Sequence, residues 1–69
     1  MNNYQDLFQV RFQCPDGTEL WLGRPGTGSA DDPDKSPAMS LSEAQEAADE
    51  RNRVHGPAGY KYWLVPAIR

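Results

Sequence analysis

Only one cysteine, Cys14, and one histidine, His55, occur in this chain of 69 residues. A lone thiol leaves no internal disulfide, although a domain this small buries only about 60% of the surface its unfolded chain exposes. Small secreted domains usually compensate with disulfides, so a single thiol fits a reducing cytosol. Two soft ligands do not make a zinc site. A Cys14–His55 nucleophile pair would need a third group to orient it and a cleft to work in, so no catalytic residue is assigned. Long apolar runs are missing too. The longest uncharged one, Tyr62 to Ile68, falls far short of the ~20 residues of a membrane span. The opening residues, MNNYQDLF, lack the basic start and apolar core of a signal peptide. The expectation is a cytoplasmic protein with no membrane partner. Nor is there an excess of basic residues: the formal net charge is −3, which disfavours direct binding of nucleic acid. No internal repeat is visible.

What the chain does have is segregated charge. The stretch Asp31 to Glu50 (DDPDKSPAMSLSEAQEAADE) carries seven of the ten carboxylates and only one basic residue, Lys35. Its net charge is −6, leaving +3 for the remaining 49 residues. A modest total therefore conceals one strongly acidic region.

The hydrophobic pattern predicts a single α+β domain. Residues 4–14 (YQDLFQVRFQC) put Phe8, Val10, Phe12 and Cys14 on one side and Gln9, Arg11 and Gln13 on the other, the two-residue period of a half-buried strand. Pro15-Asp16-Gly17-Thr18 has the proline, side-chain acceptor and glycine of a hairpin loop. Residues 18–23 (TELWLG) return as a second strand with Leu20 and Leu22 facing the core. Residues 24–38, with three prolines and two glycines, predict a long flexible loop. Ser40 and Glu43 fit the S-x-x-E capping box at the start of a helix over about 41–55, with Met39 placed to staple against Ala44. At about 100° per residue, Leu41, Ala44, Ala47 and Ala48 share one side, extended by Arg51 and His55. Glu43, Glu46, Asp49 and Glu50 share the other. Gly56 and Pro57 are expected to end the helix, the glycine in the left-handed position. Residues 60–68 predict a third strand, with Pro66 suited to an edge. The expected architecture is a β-β-α-β two-layer sandwich: a three-stranded antiparallel sheet in order 2-1-3 with one helix on one face.

Candidate sites follow from surfaces, because the loop motifs fall short. Gly23 to Ser29 is glycine-rich like a phosphate loop but lacks its lysine and its helix. Asp31, Asp32 and Asp34 miss the calcium-loop spacing and a distal glutamate. No cofactor or metal is expected. On the helix, residues three and four apart are neighbours, about 5–6 Å apart. Glu43, Glu46, Asp49 and Glu50 thus form a row spaced roughly like backbone phosphates, with Asp31, Asp32 and Asp34 in support, and such a row could occupy a basic groove on a partner. The bland alternative is a solvated face. A second candidate is the open sheet face, where Trp21, Trp63, Arg11 and Lys61 would project if even-numbered residues are core. That face could serve a protein partner, self-association or single-stranded RNA. Alternatively the third strand slips register and Trp63 joins the core.

The alternating strand, PDG turn, LWLG strand, SLSEAQEAADERN helix and closing YKYWLVPA strand resemble the small hairpin–helix–strand proteins of phages and mobile elements, a population that includes anti-CRISPR inhibitors. The resemblance is one of layout and charge, and no residue assignment comes with it. It implies a non-enzymatic inhibitor in the host-cell cytoplasm, and the chain itself is expected to be a monomer or weak dimer. Such an inhibitor would imitate DNA and bind a protein partner through that partner's basic nucleic-acid-binding groove.

Overall fold

A computed structural model of the chain describes residues 7–24 and 28–67. The strand expected from residue 4, the loop residues 25–27 and the strand end at 68 fall in part outside this range. Five strands and one helix are present among the described residues: β1 (Leu7–Gln13), β2 (Glu19–Leu22), β3 (Ser29–Ala30), β4 (Met39–Ser40), α1 (Leu41–His55) and β5 (Lys61–Pro66).

β1 is the central strand because its alternation gives it a side chain for each layer. Val10 and Phe12 are buried towards the helix, and Arg11 and Gln13 turn to the opposite face. β5 runs antiparallel along one edge of β1, with Val10 opposite Leu64 and Phe12 opposite Tyr62. β2 runs antiparallel along the other edge, joined through the Pro15–Gly17 turn, with Phe12 opposite Leu20. Asp16 makes that turn rigid: its carboxylate accepts the Thr18 N–H at 2.9 Å, while Gly17 takes φ = 96°, which costs glycine little. The Thr18 backbone bond and, after it, a hydrogen bond from the Thr18 side chain hold the Asp16 carboxyl below its ordinary pKa.

The fold is α+β with one helix over an antiparallel sheet, and its three longest strands lie with the first in the middle. The sheet is not three-stranded. Ser29–Ala30 pairs with β2, placing Ala30 opposite Trp21. Met39–Ser40 pairs with the start of β1, on the edge that β2 also uses. Both short strands come from the region expected to be a flexible loop or a helix approach, and that expectation is corrected here. Between them Pro33–Lys35 forms a 3-10 turn, pinned by long-range side-chain bonds. Buried Gln9 donates to the carbonyls of Pro33 (2.7 Å) and Ser36 (2.9 Å). Buried Ser36 donates its hydroxyl to the Leu22 carbonyl at 2.6 Å. Buried amides and hydroxyls need such partners, and these supply an order that composition does not reveal.

α1 begins with the capping box: the Glu43 N–H donates to Ser40 Oγ, and the Ser40 N–H to Glu43 Oε1, each at 3.3 Å. Its inner face is thin, since Ala44 and Ala48 alone are fully buried on it. With Val10 and Leu22 they form the core, against which Phe8, Met39, Ala47, Tyr62 and Leu64 pack. Leu41 is 55% exposed and does not join it.

The helix end differs from expectation. Gly56 stays right-handed at φ = −53°. Pro57 cannot donate an N–H to continue the ladder, so the chain tightens into a 3-10 turn over Gly56–Ala58. The left-handed residue is Gly59, at φ = 105°.

Candidate interaction surfaces

The outward face of α1 gathers Ser42, Gln45, Glu46, Asp49, Glu50 and Arg53 around one shallow surface. All four helix carboxylates are exposed, as the helical period requires once Ala44 and Ala48 face the sheet. Three of them are engaged locally. Glu43 closes the capping box, Asp49 accepts from Gln45 Nε2 at 3.0 Å, and Glu50 pairs with Arg53 at 2.8 Å. Glu46 has no hydrogen bond or ion pair among the described residues. Arg53 is the residue sequence reasoning missed on this face. It lies three positions after Glu50 and four after Asp49, and the same 100° arithmetic places it in the middle of the carboxylates.

The loop carboxylates do not join this face. Asp32 caps the 3-10 turn, accepting the Asp34 N–H at 2.9 Å. That turn hangs on the side chain of Gln9, whose neighbour Val10 points to the helix. Asp31, Asp32 and Asp34 are therefore anchored from the sheet face that α1 does not cover. The predicted set of seven divides into a helix group and a separately mounted loop group.

On that uncovered face β5 does not slip. Arg11 lies opposite Trp21 on one side and Trp63 on the other, so the three side chains form a single rung across β2, β1 and β5. The Arg11 guanidinium carbon sits 4.5 Å from the Trp21 ring centroid. Its Nε reaches Glu19 Oε1 at 3.3 Å. The next rung carries Glu19, Gln13 and Lys61. Both tryptophans are half-buried. A guanidinium over an indole face is attracted by the ring quadrupole, which holds Arg11 flat on the sheet.

A third concavity lies on the helix side, between the C-terminal half of α1 and β2. Phe12, Leu20, Tyr60, Tyr62, Arg51 and His55 line most of it, with the half-buried Cys14 at its margin. Phe12 and Tyr62 stack at 4.9 Å between centroids, and His55 meets the edge of Tyr60 at 5.9 Å. Burial raises the Tyr62 hydroxyl above its ordinary pKa; Tyr60 and Cys14 add to this, and Arg51 opposes it. Cys14 and His55 thus share one concavity, a proximity that their separation in sequence does not suggest.

Among the described residues no group of three or more histidine, cysteine or carboxylate side chains is placed to hold a metal ion. No described helix is long and apolar enough to cross a membrane. No protein-family model, curated protein or solved structure matches the chain.

Proposed function

We propose that this chain is a non-enzymatic interaction protein that docks the outward face of α1 against a basic, nucleic-acid-binding groove of a protein partner. In this reading it inhibits the partner by occupying the site of DNA. A CRISPR effector complex is one partner of that kind, as the resemblance to phage anti-CRISPR inhibitors implies. The observation that carries the reading is the exposure of Glu43, Glu46, Asp49 and Glu50 on a capped helix whose opposite side is fixed to the sheet by Ala44 and Ala48. Charge on such a support keeps its spacing. The Glu50–Arg53 pair is solvent-exposed on both sides, and pairs of that kind are worth about 0.2–1 kcal/mol, so a partner's lysines and arginines can displace it. Asp31, Asp32 and Asp34 contribute long-range field rather than contact. Attraction of this type speeds encounter and weakens with salt.

The test replaces Glu46, Asp49 and Glu50 by lysine, which spares the capping box that a change at Glu43 would break. Immobilised chain should capture a nucleic-acid-binding protein from host lysate, duplex DNA should compete it off, and the triple variant should capture none. Capture that the variant retains, or that DNA does not disturb, sinks the reading.

The Trp21–Arg11–Trp63 rung favours a second reading, in which the uncovered sheet face binds single-stranded RNA or a second copy of the chain. Stacking of bases on exposed aromatics is sequence-tolerant. Here the indole fluorescence should respond to oligouridylate or to protein concentration, with the helix triple variant behaving as the parent does. An unresponsive signal in both titrations removes this reading.

A further inference from the structure

The groove on the helix side is lined by aromatic and basic side chains. Among the described residues no carboxylate lines it, whereas Arg51 and His55 both do. Arg51 makes no hydrogen bond or ion pair among the described residues, and the His55 side chain makes only ring contacts with Tyr60 and Tyr62. The charge pattern of α1 explains the contrast. Its carboxylates lie on the outward face with Arg53, and Arg51 and His55 lie on the side of the groove.

The walls are built for a flat apolar group. Phe12 and Tyr62 present rings from β1 and β5, Tyr60 adds one from the residue before β5, and Leu20 closes the β2 side while staying half-buried. The groove exists because α1 packs on β1 and β5, leaving the Leu20 side of β2 open. Its volume is about 400 Å³, within the range of about 300–1,000 Å³ usual for small-molecule sites. Such sites are mainly apolar with a few convergent polar groups. Aromatic walls favour offset or edge contacts with another ring, and a guanidinium is suited to a carboxylate, which it can grip with two parallel hydrogen bonds.

We propose that this groove is a binding site for a small carboxylate that bears a flat aromatic ring, whose ring rests against Tyr60 and Tyr62 and whose carboxylate is met by Arg51. The site is independent of the outward helix face, so a ligand held here leaves Glu46, Asp49 and Glu50 available to a partner.

The probe is phenylacetate, titrated into the isotope-labelled full chain and followed by amide and side-chain NMR shifts. Phenylacetamide, equal in shape but uncharged, and acetate, which lacks the ring, run in parallel. Saturable shifts are expected at Phe12, Leu20, Arg51, His55, Tyr60 and Tyr62, with both controls binding at least about tenfold more weakly. Arg51→Gln, an exposed position whose replacement leaves the core untouched, should weaken phenylacetate at least about tenfold, as the loss of a charge-assisted contact requires. Its spectrum should otherwise overlay that of the parent. The proposal is overturned by an absence of saturable shifts at these residues. It is equally overturned if either control matches phenylacetate, or if a folded Arg51→Gln chain binds as the parent does.

Discussion

The side-chain amide of Asn52 pairs with the backbone of Tyr62 as a neighbouring strand would, donating to its carbonyl at 3.1 Å and accepting its N–H at 2.9 Å. Tyr62 therefore turns its backbone groups away from β1, and by the two-residue period Leu64 and Pro66 do the same. The Ala67 N–H, one residue out of phase, instead points inward and donates to Leu7 at 2.9 Å. With Asn52 in place and Pro66 lacking an N–H, little of the outer β5 edge remains to recruit another strand, and exposed Lys61 discourages it further. Asn52→Ala should reopen that edge. We expect a stability loss of about 1 kcal/mol in urea denaturation and concentration-dependent self-association in sedimentation velocity. A variant that sediments as the parent does at every concentration would show that Asn52 does not guard the edge.

Two glycines close together in sequence should respond unequally to alanine. Gly59 has φ = 105°, and an added Cβ would lie 3.2 Å from both Cβ and Cγ of Pro15, where the hairpin turn meets the entrance to β5. Gly59→Ala should cost about 1–3 kcal/mol through backbone strain and crowding. Gly56 is right-handed, with nothing within 4 Å of its would-be Cβ. Gly56→Ala should change stability by less than about 1 kcal/mol, because the gain from restricting the unfolded chain is offset by the crowding of a non-glycine residue held right-handed before Pro57. Equilibrium unfolding of both variants decides the point, and equal shifts would contradict the assignment of the reversal to Gly59.

That assignment marks where the sequence was legible and where it was not. Local signals carried through: the capping box of Ser40 and Glu43, the alternation from Phe8 to Phe12, and the Asp16–Gly17 turn each depend on residues within a few positions of one another. The even-numbered core face also placed Trp21, Arg11 and Trp63 together on the other side. The short strands β3 and β4 escaped notice because their order comes from Gln9 and Ser36, bonded to carbonyls between 14 and 27 residues away. A glutamine on a strand's polar side looks like any solvated residue until the segment it holds is known. Arg53 was legible but overlooked, since counting carboxylates alone hid the cation among them. The groove was legible only in part, since the helical period put Arg51 and His55 on the inner side without showing the opening beside Leu20. Phe12, Arg51, His55 and Tyr62 meet there only through the angle at which α1 crosses the sheet.

Tyr62 should make the fold sensitive to alkali. Burial raises its pKa above the ordinary value of about 10, so the folded state holds the phenol proton more tightly than the unfolded state does. The resulting stabilisation is fully present below the unfolded value and is lost as pH rises through the folded one. Stability measured across that range should fall more steeply for the parent than for Tyr62→Phe, which has no proton to lose. The phenolate absorbance should lose a late-titrating component in Tyr62→Phe. Parallel pH profiles for parent and variant would remove Tyr62 as the cause.

Arg53 offers the sharpest handle on the proposed binding face. It is the cation set among Glu46, Asp49 and Glu50, and its replacement by glutamate makes that face more negative by two charges. The stability cost should be small. Loss of the exposed pair with Glu50 accounts for about 0.2–1 kcal/mol, and loss of a cation in the last helical turn for a further 0.3–1 kcal/mol or so. If α1 docks in a basic groove, Arg53→Glu should associate faster with the captured partner at low salt. The advantage should shrink as ionic strength rises and the screening length falls towards about 8 Å. The change should appear mainly in the association rate, because the added field acts during approach. A solvated, unused helix face predicts instead that stability falls slightly and the association rate stays where it was. Rates measured for parent and variant at two ionic strengths separate these outcomes, and an unchanged rate at low salt would count directly against docking through the outward face of α1.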